Sequence, residues 1–306
     1  SLIDRFGVSE LLNTLNKIGI PAYKTWDGWY YPLSNSAHSV VDALTHAVKS
    51  AGVKTQTSSR VVDIIKNEND YRIVFLHNDI HHSANFGMVI VSSGGKAYPS
   101  LGTTGELFPV LGNLGHRITP IQPALAPLLV ELEDLKPLQG VRLDLGTSLY
   151  QGTKRLATAA GNMIFTKWGM NGPAVMNLSH HVPNPPGESI TISLNLLHFI
   201  ESEFNHLLDL KRHASFPVSL LLSAFFPPKA ALTYAHLAGI SENKTLNALD
   251  QSIILGLVNT LKDTRLKVLG VRGYQYCQAS VGGIPVREVN PKTLESRIHK
   301  GLYLTG

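Results

Sequence analysis

The feature that most constrains the fold of this chain is an apolar segment that runs directly into paired glycines, within residues 88–116. Residues 88–91, MVIV, predict a buried strand. The residues that follow it are Ser92, Ser93, Gly94 and Gly95. Glycines at a strand end let the backbone approach a bulky ligand, because no Cβ stands in the way. Taken alone, however, the pattern favours a tight structural turn over a ligand site.

A second glycine-flanked turn follows a few residues later. It consists of Gly102, Thr103, Thr104 and Gly105. Such a turn exposes amide groups and two hydroxyls, which can bind a phosphate or the polar edge of a cofactor.

Composition limits the classes of protein to which the chain can belong. Its 306 residues are 43% hydrophobic and 16% charged, which is typical of a globular protein of about two domains. The net charge is +5, but the basic residues are dispersed along the sequence, so nucleic-acid binding is not predicted. A polyanionic cofactor or an acidic substrate is compatible with this charge.

Several kinds of chemistry lack their sequence signature. The single cysteine, Cys277, forms no internal disulfide, which predicts a reducing compartment such as the cytoplasm, and a buried inert thiol is favoured over a nucleophile. No HExxH or CxxC motif is present, so we expect no metal site. No signal peptide and no apolar run of about 20 residues occurs, so we expect no membrane association. GxSxG, P-loop and GxGxxG motifs are also absent, and nothing positions a Ser–His–Asp triad.

Hydrophobic periodicity changes along the chain and indicates a composite architecture. Residues 1–120 alternate helix and strand, including an amphipathic helix at 36–50 and a hairpin of 61–65 with 71–76, which predicts a partly parallel α/β sheet. From Pro120 onward, prolines indicate a linker, and short alternating strands over 140–194 then predict a small β-barrel or sandwich.

Further along, the period becomes helical over 196–262, which predicts a helical insert within the β unit. Strands are expected again at 266–271 and 274–279.

Two more segments combine glycine with polar residues. Asn171 and Gly172 follow Lys167-Trp168-Gly169, and a barrel corner and a part of a binding site are equally good interpretations. Gly282 and Gly283 form a second point at which a backbone can approach closely. For residues 61–64 an ordinary hairpin strand is favoured over one that pairs with an adenine. For residues 293–297 a capping and salt-bridge device is favoured over a site wall.

Taken in order, these segments resemble the HI0933-like flavoproteins, also described as BaiN-like or aminoacetone oxidase-like NAD(P)/FAD-dependent oxidoreductases. The family pattern A-T-G-G-x-S-Y-P-x-x-G-S-T-G is matched by residues 92–105, SSGGKAYPSLGTTG. The L-G-H that follows it is residues 114–116, and the P-A-L-x-P-L run is residues 123–128. F-T-H-x-G-x-S-G-P-A is similar to residues 165–174, V-T-x-G-G-V to 279–284, and T-M-E-S-K-x-x-x-G-L-Y-F-A-G to 293–306.

The resemblance has departures. Family threonines are replaced by Ser93 and Ser280, a loop histidine by Lys167 and a glycine by Leu107. The family's N-terminal glycine-rich βαβ unit and its G-E-x-x-D segment beyond residue 306 have no counterpart here. The sequence is therefore expected to be a piece of a longer flavoprotein that by itself neither binds FAD tightly nor catalyses a reaction.

The resemblance implies a partial, Rossmann-like FAD-binding domain (1–120 and 285–306), a β-barrel (121–195 and 263–284) and a helical insert (196–262). The cofactor is FAD, and NAD(P)H and O2 are alternative partners of the flavin. The residues implied at the cofactor are Val61, Ser92, Ser93, Gly94, Gly95, Tyr98, Thr104, Gly105 and Gly306. Those implied on the substrate side are Asn171, Gly172, Ser280, Gly282 and Gly283.

The expected partner is a small organic molecule, and no catalytic acid or base is identified. The alternative function, from another class, is a non-catalytic binding module that uses the basic β-barrel to hold nucleic acid or protein. The substrate and the oligomeric state stay open.

Overall fold

The computed structural model describes residues 2–25, 28, 30–183, 189–241 and 243–306. They divide into two units. The first consists of Ser1–Ser93, Glu106–Ile118 and Ile284–Gly306, and the second of Gly94–Gly105 and Thr119–Gly283. A further division of the second unit into separate barrel and helical domains stays a prediction.

Regular elements occur throughout the described residues. The strands are β1 (Ala22–Lys24), β2 (Tyr30–Pro32), β3 (Ser59–Lys66), β4 (Tyr71–His77), β5 (Ile80–Phe86), β6 (Val89–Val91), β7 (Thr119–Ala124), β8 (Leu128–Val130), β9 (Arg142–Gln151), β10 (Lys154–Thr166), β11 (Gly169–Asn171), β12 (Ile190–Asn195), β13 (Thr264–Val271), β14 (Ala279–Gly283) and β15 (Leu302–Leu304). The helices are α1 (Leu2–Arg5), α2 (Val8–Lys17), α3 (Ala37–Ser50), α4 (Leu107–Asn113), α5 (Pro173–Met176), α6 (Glu201–Lys211), α7 (Val218–Ser223), α8 (Pro228–Leu237) and α9 (Gln251–Lys262). Of the helices in these ranges, none combines the length and the apolar character needed to cross a bilayer.

The first unit contains both antiparallel and parallel strand pairs. Strands β3, β4 and β5 form an antiparallel sheet, and the predicted hairpin is confirmed, with the Asn67 N–H donating to the Asp70 carbonyl at 2.9 Å. Strands β6 and β15 pair in parallel. The buried strand predicted at residues 88–91 is present as β6, but it is buried on one face only, because Ile90 is 68% exposed while Val91 packs in the core. Successive residues of a strand face opposite sides, so only one face of β6 is covered.

The second unit is built on a closed antiparallel barrel in the order β10-β11-β8-β13-β12-β9, which confirms the predicted barrel. The first of the strands predicted over 140–194 is β9, which is ten residues long. Gly146 in its middle lies against the His198 ring, where a Cβ would meet the ring nitrogen at 2.8 Å. Helices α6 to α9 lie between β12 and β13 in the chain and share the barrel's core, as shown by the buried Leu257 and Leu261.

Two elements of the second unit differ from the sequence prediction. The proline-rich linker expected from Pro120 begins as a strand, β7. The only strand that pairs with it in the described residues is β14, and such edge strands are where sheets tolerate proline. The strand predicted over 274–279 is a 3-10 helix, Tyr274–Tyr276, and the strand begins only at Ala279.

Candidate functional site

The glycine turn after β6 has an open surface. Ser92, Ser93 and Gly94 are exposed, and Gly94 adopts a left-handed conformation with φ of +71°. A Cβ built on Gly94 would meet no atom within 4 Å. The left-handed φ accounts for the glycine, and the open space above it is accessible to a ligand.

The next glycine, Gly95, has a different environment, because it contacts β14. A Cβ at this position would overlap the Ser280 Oγ, which also accepts a hydrogen bond from the Lys96 N–H at 3.2 Å. The Thr103 hydroxyl donates to the Gly95 carbonyl at 3.2 Å and accepts from the Gly105 N–H at 3.2 Å. The two predicted turns and Ser280 therefore form one hydrogen-bonded group, which we call the loop cluster (residues 94–105 with Ser280).

Tyr98 adopts a strained conformation within the loop cluster. Its φ is +51°, a region that costs a residue with a Cβ about 1–3 kcal/mol. The Tyr98 N–H donates to the Tyr274 carbonyl at 2.9 Å, and Pro99 begins a short 3-10 helix directly after it. The side chain is 43% exposed. Such strain is typical of residues that a protein holds in place for a functional reason.

Aromatic and basic side chains lie beside the loop cluster, on the segment 272–276. The Arg272 guanidinium carbon lies over two rings, 4.3 Å from the centroid of Trp168 and 3.3 Å from that of Tyr276. The Lys96 Nζ lies 5.8 Å from the centroid of Tyr274. Sequence reasoning missed this arrangement, because the basic residues are far apart in the chain, although the alternation in R-G-Y-Q-Y was a usable signal.

Cys277 follows these aromatic residues and is fully buried, as predicted. Its thiol donates to the Tyr274 carbonyl at 3.4 Å, and burial raises its pKa. Burial also raises the pKa of Tyr274, whose hydroxyl donates to the Ile121 carbonyl at 2.7 Å. Neither group is activated as a nucleophile or a base.

The glycines predicted on the substrate side have close protein contacts. A Cβ on Gly172, whose φ is +103°, would lie 2.6 Å from the Asn162 carbonyl oxygen, and the Asn171 Oδ1 accepts from the Gly172 N–H at 2.8 Å. A Cβ on Gly282 would overlap the Pro120 carbonyl. The Gly283 carbonyl accepts from the Thr119 hydroxyl at 2.9 Å. These contacts favour the barrel-corner interpretation for Gly172, and a substrate-side role for these residues stays a prediction.

Two predicted cofactor residues, Val61 and Gly306, belong to the first unit. Val61 lies beside a bulge in β3 and packs against that unit's core. Gly306 follows β15, and the neighbouring Thr305 N–H donates to the Val91 carbonyl at 2.9 Å. Their role at a cofactor stays a prediction.

The first unit also contains a buried chain of side chains that the sequence did not reveal. The His116 Nδ1 lies 2.9 Å from a Glu288 carboxylate oxygen, and its Nε2 lies 3.0 Å from the Ser296 Oγ. The His116 side chain holds the pKa of Glu288 below its ordinary value. The Ser296 Oγ also accepts from the backbone N–H groups of Ile298 and His299, each at 3.0 Å.

This order of serine, histidine and carboxylate resembles a catalytic triad, but its environment is structural. Ser296 is only 6% exposed, and its lone pairs are used by two backbone N–H groups. The adjacent Glu295 accepts from the Gly301 N–H at 2.8 Å, which supports the predicted capping role of this segment. We call Ser296, His116 and Glu288 the buried relay.

Comparison with known proteins identifies the family. The model of the HI0933-like protein Rossmann domain matches residues 1–306, so the chain belongs to the HI0933-like family, as its motifs predicted. The 3-dehydro-bile acid delta(4,6)-reductase of Clostridium scindens is 29% identical over 313 residues, which cover 100% of this chain and 75% of that protein. The ribosomal RNA dihydrouridine synthase of Escherichia coli is 26% identical over 312 residues, which cover 100% of this chain and 74% of that protein.

The contact between Gly95 and Ser280 gives a testable coupling. Gly95→Ala is expected to destabilise the protein by about 1–3 kcal/mol, because the new methyl group displaces the Ser280 hydroxyl. Ser280→Ala alone removes one hydrogen bond, at a cost of about 1 kcal/mol. The double variant should be more stable than the sum of the two losses predicts, because the methyl group then has room. Urea unfolding of the four proteins measures the coupling, and strictly additive losses would contradict the contact.

Proposed function

We propose that this protein is an FAD-dependent oxidoreductase whose loop cluster holds part of the cofactor. The observation that carries the proposal is the open turn at Ser93-Gly94 in a chain that matches its family over its whole length. Oxidoreductases are also what the names of the relatives describe.

The residues present fit such a cofactor. Gly94 and Gly102 both have positive φ, and each has open space where a Cβ would point, so a large flat or phosphorylated group has room to approach the backbone. Thr104 adds a hydroxyl on the exposed side of the second turn. Gly94, Gly95, Thr104 and Gly105 of the second unit would hold the group, and roles for Ser93, Val61 and Gly306 rest on the family motifs alone.

The bound flavin would supply transfer of a hydride or of single electrons. The protein's own residues would bind and orient the substrate, since the buried Cys277 thiol and the Tyr274 hydroxyl, which donates to the Ile121 carbonyl, are not available for proton transfer. One relative is named a delta(4,6)-reductase and the other a dihydrouridine synthase. We therefore favour, for this chain, reduction of a double bond conjugated to a carbonyl, in which one carbon receives a hydride and the other a proton.

The absorption spectrum of the purified protein, expressed from its complete reading frame, tests the proposal. We expect the two visible bands of an oxidised flavin, and their bleaching under anaerobic conditions by NADH or NADPH identifies the reductant. Rapid reoxidation in air would assign O2 as the acceptor. A folded, colourless protein that takes up no added FAD would contradict the proposal.

A second candidate function is nucleic-acid binding by the barrel. One outer face of the barrel carries a row of residues that pair across four neighbouring strands: Arg155, Tyr150, Thr191 and Lys267. The Arg265 guanidinium lies 4.8 Å from the Tyr150 ring centroid. Exposed basic and aromatic side chains on a sheet are typical of single-strand binding. Asp263 and Glu131 partly neutralise this face, which makes it the weaker candidate, and retention on heparin with a steep salt dependence would support it.

A further inference from the structure

We propose that Arg272, together with Lys96, forms an oxyanion-binding subsite of the second unit that takes a carboxylate or phosphate group of the substrate. The inference rests on the proposed function and adds to it the chemical class of the substrate, which is an anion.

Arg272 is held in one orientation without being neutralised. Its guanidinium carbon lies over both the Trp168 and the Tyr276 rings. The backbone N–H of Arg272 donates to the Pro127 carbonyl at 2.9 Å. In the part of the chain that the structure describes, no oxygen accepts a hydrogen bond from the guanidinium itself. The rings therefore fix the plane of the cation, while its N–H donors stay available to a ligand.

Two other arginines of the second unit, Arg265 and Arg212, use their donors within the protein. Arg265 binds the Asp263 carboxylate at 3.0 Å, and Arg212 donates to the carbonyls of Leu246 and Leu249 at 2.8 and 3.0 Å. A guanidinium that is half-buried and stacked, yet donates to no oxygen, has lost conformational freedom without gaining a hydrogen bond. That arrangement is the one that preorganised binding of an external group requires.

Lys96 brings a second cation to the same segment. Its backbone N–H donates to Ser280, and its ammonium group lies over the Tyr274 ring, on the 3-10 helix that also carries Tyr276. The bond from the Tyr98 N–H to the Tyr274 carbonyl joins this loop to the same helix. Arg272 and Lys96 therefore belong to one hydrogen-bonded surface beside the loop cluster.

The stretches that carry the contacts of this surface, residues 94–105, 167–171 and 271–280, contain no aspartate or glutamate. Their basic residues are Lys96, Lys167 and Arg272. Arg265 and Lys267 are paired with Asp263 and Glu131 and add little to the local charge. A local excess of positive charge attracts anions and raises their local concentration.

The chemistry of guanidinium defines the ligand. A planar fork of N–H donors matches the two oxygens of a carboxylate or phosphate, and the neighbouring Trp168 and Tyr276 rings add a surface for a flat or apolar body. The names of the two relatives, a bile acid reductase and a ribosomal RNA enzyme, refer to substrates that carry these two anions. The shared feature is an oxyanion joined to a ring system.

The test compares Arg272→Gln, Arg272→Lys and the control Arg72→Gln, which changes an exposed arginine of the first unit. Two probes distinguish the sources of the anion. A fluorescent single-stranded oligouridylate is titrated by anisotropy, and cholate and its uncharged methyl ester are titrated by calorimetry. We expect the wild-type protein to bind one of these anions, and Arg272→Gln to weaken that binding about 10- to 100-fold.

Arg272→Lys should give an intermediate affinity, since it retains the charge but loses the fork. Because lysine preserves the cation, this variant keeps the test informative if the glutamine variant fails to fold. For the oligouridylate, loss of Arg272 should also lower the dependence of binding on salt. For cholate, the methyl ester should bind wild type as weakly as cholate binds Arg272→Gln.

The assignment is overturned if the wild-type protein binds neither anion, if Arg272→Gln binds as wild type does, or if Arg72→Gln loses as much affinity. Flavin content is measured separately on each variant. A protein that binds the anion through Arg272 but takes up no FAD would leave the subsite in place and refute the proposed function.

Discussion

Replacement of Gly282 by alanine is expected to lower the free energy of unfolding by about 2–5 kcal/mol. Two penalties combine at this position. Gly282 has a φ of +95°, which an L-residue adopts at a cost of about 1–2 kcal/mol, and the new methyl group would overlap the Pro120 carbonyl of β7. Since the overlap is with backbone, relief requires β7 and β14 to separate.

A matched control lies in the same unit. Gly273 has a φ of −64°, and a Cβ built on it meets nothing within 4 Å, so Gly273→Ala should leave stability unchanged or raise it slightly. Urea unfolding of both variants beside wild type measures the difference. Equal stabilities for the two variants would show that β7 and β14 are not in the close contact described here.

This glycine also illustrates what a single sequence can reveal. The pair Gly282-Gly283 predicts a close approach of backbone, and such an approach exists between Gly282 and the Pro120 carbonyl. The same applies to Gly172, which contacts Asn162. Glycine in a pattern indicates that a Cβ is not tolerated, whereas the identity of the neighbour depends on strand pairing between distant segments.

Local patterns predicted the elements whose cause is local. The barrel strands alternate apolar and polar residues, and the hairpin at 67–70 has the turn residues it needs, so both were predictable. Pro120 and Pro123 predicted a linker, whereas they lie in the strand β7. A strand that has a single partner tolerates proline, so its sequence resembles that of a loop.

The residues that bring chemistry together lie far apart in the chain. Arg272 is about a hundred positions from Trp168, and His116 is 172 positions from Glu288. No periodicity or motif spans such separations. Family resemblance supplied the loop cluster, because its motifs are continuous. The motifs also include His116 and Ser296, but they did not reveal that these residues meet each other and Glu288, nor did they supply the stacked arginine.

Disruption of the buried relay is expected to have the second large effect. His116→Ala should lower the free energy of unfolding by about 2–4 kcal/mol, because it opens a cavity and leaves the Ser296 hydroxyl without its buried partner. The relay joins the end of α4 to the segment before β15, so the loss should appear as early unfolding of the first unit. Hydrogen exchange at Leu302–Leu304 and thermal melting measure it, and unchanged protection there would contradict the structural role.

The carboxylate of the relay adds a dependence on pH whose sign follows from its pKa. His116 holds the pKa of Glu288 below its ordinary value of 4.5 in the folded state, aided by the Arg117 N–H and the charge of Arg287. Between that depressed value and about 4.5 the unfolded chain binds more protons than the folded protein does, so the stabilisation is fully present above this window and is lost as the pH falls through it.

Glu288→Gln keeps a hydrogen-bond acceptor for the His116 Nδ1 but removes the charge, so stability should fall less steeply with acid than in wild type. Glu68→Gln, in the exposed hairpin turn of the same unit, is the control, and a stability profile for Glu288→Gln that is parallel to that of wild type below pH 4.5 would rule out the charged relay.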